Sequence, residues 1–177
     1  MINKPKLNSF IKRTWNKVEP RLKGKGFKTI VINNERSLRE FIYNSIPDNC
    51  VVGIGNSLSS SAQKIKDILV EKGNKVFYSW NGNTYNRSID TFEEPPKPEY
   101  FLTTAEIIEN EGNIVNSEYS SQAASSKNFP KKIIAFSGLN KFKRNSKSEK
   151  NPDYVIFDKN PESTEITVAV LPFLNIS

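Results

Sequence analysis

The chain has no histidine, one cysteine and one methionine in 177 residues. Without imidazole, and with a lone thiol at Cys50, a zinc site of the Cys/His kind is all but excluded, as are Ser-His and Cys-His nucleophile pairs. Any catalysis must rest on carboxylates, hydroxyls, lysine, tyrosine or backbone amides. A single cysteine cannot close an internal disulfide, so a reducing compartment, the cytoplasm, is the expected location. Long apolar runs are lacking as well. The opening MINKPKLNSFIKRTWNK is too polar for a signal peptide or a membrane span.

What is present suits one folded domain. The length is enough for one substantial core and too short for two ordinary ones. Only 36% of residues are hydrophobic, yet eleven Phe, six Tyr and two Trp supply the apolar area that folding needs. The formal charge is +7, and nine Lys or Arg fall within the first 28 residues. Such a balance admits an anionic ligand or nucleic acid. The plainer reading is a solvated basic surface, so neither nucleic acid nor membrane is the expected partner.

Hydrophobic spacing sets the order of elements. Leu7, Phe10, Ile11, Trp15 and Val18 share one helical face, which predicts an N-terminal amphipathic helix within residues 1–25 that Pro20 interrupts or ends. Phe27 to Ile32 reads as a strand leading through Asn33-Asn34 to a helix cap, and Leu38, Phe41, Ile42 and Ile46 repeat at helical spacing as far as Pro47. Cys50 to Ile54 is a buried strand. Leu58, Ala62, Ile65 and Leu69 mark the next helix, closed by Gly73, and Lys75 to Trp80 is a third strand. Strands alternating with helices in this way imply an α/β fold, an open and mostly parallel sheet with helices on both faces.

From Asn81 to Pro98 the pattern gives way to a long polar loop with a helical turn around Ile89 to Phe92. Strands are expected again at Tyr100 to Thr103, at Ile107-Ile108 and Asn113 to Asn116 about a turn at Gly112, and at Lys132 to Phe136. Residues 141–152 read as a basic connection, followed by strands at Tyr154 to Phe157 and Glu165 to Leu171.

The most informative local feature is VVGIGNS, residues 51–57, a buried strand emptying through Gly53 and Gly55 into a helix start that carries Asn56, Ser57 and Ser59. Glycines allow close backbone approach, and free amides at a helix start favour negative charge. A phosphate, a carboxylate or a nucleotide is the expected guest. The run is neither a Walker loop nor a full Gly-x-Gly-x-x-Gly fingerprint, and a tight turn capped by Asn56 or Ser57 explains it equally well.

Four segments together resemble the LUD (lactate-utilisation, DUF162) domain family: the GF at 26–27, IPDNCVVGIGNSLSS at 46–60, FLTTAEIIENEGNIVN at 101–116 and PKKIIAFSGLNK at 130–141. Order and spacing agree over about residues 26–143, leaving 144–177 as a divergent C-terminal portion. The resemblance implies a fold similar to the NagB/RpiA/CoA-transferase group, with a site formed by the Gly53 to Ser57 loop, Thr103, Thr104, Asn140 and Lys141. It also implies a role in bacterial lactate oxidation beside iron–sulfur and other oxidoreductase partner proteins. It implies no particular cofactor. The chain departs from the family where D-G-x-G-N-R commonly follows I-V-N, since Glu118-Tyr119-Ser120-Ser121-Gln122 stands there and the arginine is missing. Loss of that guanidinium removes a bidentate anchor for an anion.

Three alternatives follow from the residues. Glu106, Glu109 or Glu111 could act as the nucleophile of a CoA or acyl transfer, although glutamates about a turn are usually solvated. A basic nucleic-acid-binding face would need the N-terminal and 141–150 cations to be continuous. A decayed site serving as a scaffold is the third. Cys50 reads as a small buried hydrophobe, and Trp15 and Trp80 as packing residues.

Overall fold

The computed structural model describes residues 9–55, 58, 62–80, 83–84, 98–116, 130–143, 155–162 and 164–172. Helix α1 runs Ser9–Gly24 and leads to strand β1, Lys28–Val31. Helix α2, Glu35–Ser45, is followed by β2, Val51–Gly55, then α3, Ala62–Glu71, and β3, Lys75–Trp80. Short β4, Asn83–Thr84, precedes β5, Tyr100–Thr104, and a hairpin of β6, Ile107–Glu109, and β7, Ile114–Asn116. Then come β8, Lys132–Ser137, β9, Phe142–Lys143, β10, Val155–Phe157, and β11, Glu165–Val170.

Two sheets result. The larger has the order β1-β11-β8-β5-β2-β3-β4, parallel throughout except for β4, which pairs antiparallel with the end of β3. The smaller has the order β10-β7-β6-β9. One face of the large sheet packs on α2 and α3 through Leu38, Ile42, Ile46, Ile65 and Leu69, against Val52, Ile54, Leu102 and Phe136. Its other face packs on α1 and the small sheet, where Trp15, Val18 and Leu22 meet Phe101, Ile133, Val168, Ile108 and Ile114. Alternation along β5 and β8 sends neighbouring side chains to opposite faces, so these strands are apolar on both sides and read as unbroken apolar runs. Each fully buried aliphatic side chain contributes about 1.5–3 kcal/mol.

Local chemistry explains the ends of α2. The Asn34 side chain accepts a hydrogen bond from the Ser37 amide at 2.8 Å, the expected cap, and Ile46 is extended ahead of Pro47, as a residue before proline prefers. Arg39 donates to Glu71 at 2.7 Å, and Lys72 donates to the Tyr43 carbonyl at 2.6 Å, which fastens α3 to the end of α2.

Several expectations are corrected. Pro20 does not end α1, which continues to Gly24. Proline there forfeits the bond to the Asn16 carbonyl and crowds that oxygen, but both residues are exposed, which leaves the carbonyl open to solvent while Val18 and Leu22 hold the helix to the core. Leu58 is buried but precedes α3, which begins at Ala62. The polar stretch after Trp80 contains β4, and the expected helical turn at 89–92 lies outside the described residues. The basic connection begins with a strand, β9, because Phe142 has an apolar partner in Trp15.

Candidate functional site

The order of the large sheet reverses at one place. From β2 the chain moves through α3 to β3 on one side, whereas from β5 it moves through the small sheet to β8 on the other. α3 lies on the first face and the β6–β7 hairpin on the second. The two connections diverge above the carboxyl ends of β2 and β5, and a crevice at such a switch point is where open α/β sheets hold ligands.

Side chains change character toward that edge. On the face shared with the small sheet, β5 goes from Phe101 to Thr103, and β8 from Ile133 and Ala135 to Ser137. Thr103 and Thr104 are each 1% exposed, Asn116 2% and Ser137 0%, four buried polar residues toward this edge. Asn116, at the end of β7, donates its side-chain amide to the Thr103 hydroxyl at 2.8 Å and to the Thr104 carbonyl at 2.7 Å. The Ser137 hydroxyl donates to the Gly138 carbonyl at 3.1 Å. Buried polar groups in native proteins are bonded in this way because an unmet one costs about 1–3 kcal/mol.

Gly53 lies within β2, not beyond it, and the space its Cβ would take is filled by Phe101, whose Cδ2 would be 2.7 Å away. Gly55 ends β2, and Thr103 and Thr104 end β5. Asn140 is exposed and Lys141 half-buried in a single 3-10 turn, Leu139–Lys141, that follows β8. Parallel pairing of β2, β5 and β8 therefore brings Gly55, Thr103, Thr104 and the 139–141 turn to one edge. Asn56, Ser57 and Ser59 lie outside the described residues. Asn116 and Ser137 were not anticipated. The legible sign was an amide or a hydroxyl closing an otherwise apolar strand, IVN and KIIAFS.

The three glutamates separate. Glu106 is two residues beyond Thr104 at this edge, whereas Glu109 is buried at the far end of β6, where Asn113 donates to it at 2.6 Å, and Glu111 is exposed in the hairpin turn. Cys50 sits at the opposite, amino edge, its amide donating to the Asn74 side chain at 2.8 Å. Burial, and then the charge of Glu99, push its thiol pKa up, so it stays protonated and packs. Trp15 is buried, edge-on to Phe142 at 6.1 Å, and the Trp80 side chain lies outside the described residues. Among the described residues no three His, Cys, Asp or Glu side chains gather into a metal-binding group, and no helix is long and apolar enough to cross a membrane.

A family model described as the LUD domain matches residues 15–171. The fold is similar to the crystal structure of a DUF162 family protein from Deinococcus radiodurans, with a TM-score of 0.56 and 10% sequence identity over 91% of this chain and 98% of that one. No curated protein matches the sequence.

Proposed function

The chain belongs to the LUD domain family, and from that premise we propose that it serves organic-acid utilisation, lactate being the first candidate, by binding a small anion at the carboxyl edge between β2 and β5. The guest is a phosphate, a carboxylate or a nucleotide. The observation that carries this reading is the coincidence of the switch point with the buried polar residues Thr103, Asn116 and Ser137. Lys141 supplies a cation at the rim, and the end of β2 at Gly55 supplies backbone. Oxidoreductase partner proteins belong to the same proposal, through the family's association with lactate oxidation.

The test is a thermal-shift screen against lactate, pyruvate, CoA thioesters, nucleotides and sugar phosphates. A ligand at one hundred times its Kd stabilises by about 2.7 kcal/mol, which in a chain of this size raises Tm by several degrees. The shift is expected to shrink in Lys141→Ala and to vanish in Gly55→Val. A folded protein that no ligand shifts would remove the binding reading. A shift that survives both substitutions would place the site elsewhere.

A further inference from the structure

A different part of the molecule carries a concentration of like charge. Between Ser9 and Lys28 the chain has seven cations and one carboxylate, Glu19, which pairs with Lys23 at 2.8 Å. The buried side of α1 is committed to the core by Trp15, Val18 and Leu22. Its other side exposes Lys12, Arg13, Lys17, Arg21 and Lys23. Lys12, Arg13 and Lys17 pair with no carboxylate among the described residues, and Arg21 donates to a carbonyl, that of Asn110 at 2.6 Å, which leaves its charge in place. Phe142 against Trp15 brings β9 beside the same helix.

We infer that this face of α1 binds the phosphate backbone of double-stranded nucleic acid without regard to sequence. Like-charged lysines held on a rigid helix and left without partners match a polyanion, which gains affinity by releasing counterions for each phosphate neutralised. The large exposed apolar side chains among the described residues are Tyr43 and Val70, on α2 and α3 at the opposite face of the sheet. Among the described side chains, from Lys12 onward, the basic face thus shows no exposed aromatic on which a base could stack and no apolar wedge for a bilayer. The described side chains of this face also include no exposed aromatic anchor of the kind on which protein interfaces depend, and sixteen residues make a helix roughly 24 Å long, a narrow strip beside the roughly 800 Å² that a stable protein partner covers.

Fluorescence anisotropy of the full chain with two labelled duplexes of unrelated sequence, across a sodium chloride series, tests this. Equal Kd values for the two are expected. With four to five phosphates met, log K should fall against log salt with a slope of about −4. The variant K12Q/R13Q/K17Q should bring that slope to about −1 and weaken binding at least about tenfold at low salt, with unchanged circular dichroism. The variant K64Q/K75Q/K131Q, which removes the same charge from exposed lysines elsewhere, should bind as the unaltered protein does. No duplex binding at low salt, or equal losses in the two variants, would overturn the inference. So would binding to vesicles rich in phosphatidylserine with none to duplex.

Discussion

At the scale of single residues, one glycine shows how a motif can have two explanations. VVGIGNS invites a ligand-cradling account of both glycines, yet Gly53 has Phe101 and Phe77 against it, and a methyl there would be 2.7 Å from the first and 3.4 Å from the second. Both rings belong to neighbouring strands, so the missing side chain lets three strands pack at that level. Gly53→Ala should cost about 1–3 kcal/mol through overpacking, read as a lower urea midpoint. An unchanged midpoint would return Gly53 to a purely ligand-facing account. Asn116 teaches the complementary lesson. Its amide is an ordinary letter at the end of IVN, and only the return of β7 to the edge of β5 gives it Thr103 and Thr104 as partners.

At the scale of elements, α1 depends on the β6–β7 hairpin it rests on. Gly112, in the turn, has φ +83°, and a Cβ there would lie 3.0 Å from the backbone of Arg21 and of Leu22. The same turn accepts from Arg21 at Asn110 and from Lys25 at Asn113, and Asn113 in turn donates to the buried Glu109. Gly112→Ala combines left-handed strain with a clash against backbone that cannot rotate away. A loss of about 2 kcal/mol or more is expected, with α1 the first element to lose amide protection in hydrogen exchange. Equal protection of α1 and β8 in that variant would show that the turn does not hold the helix. The sequence predicted the turn at Gly112, since Gly after IIENE breaks two apolar runs. It could not say that the turn abuts a helix ninety residues earlier.

At the scale of the whole molecule, the two apolar clusters share the large sheet as a wall. β5, β8 and β11 place alternate residues in each, so neither cluster keeps its shape if these strands separate. Unfolding should therefore be one transition. Trp15 reports the cluster under α1, and the Cys50 thiol the cluster under α2 and α3. In a Trp80→Phe background, tryptophan emission and the reaction of Cys50 with a thiol reagent should change at the same urea concentration. Native Cys50 should react slowly at neutral pH, because burial favours its protonated form. Two separated midpoints would mean that α1 and the small sheet melt away from a surviving parallel sheet.

The sequence by itself determined the elements. Short apolar runs, period-3.6 apolar spacing, the Asn34 cap, the proline after Ile46 and the glycine turns are local properties, and α2, β2, β5 and β8 stand where they predicted. Four short segments were also enough to mark the family. Tertiary structure decided what those segments share. The insertion of β11, last in the chain, between β1 and β8 is a long-range pairing that no local spacing encodes. The same holds for the second sheet, whose strands are two or three residues long and acquire partners only because β5 and β8 both leave the large sheet at one edge. That departure is what brings Thr103, Thr104, Asn116 and Ser137, residues up to 34 positions apart, to one edge as buried polar groups, with Asn116 bonded to both threonines.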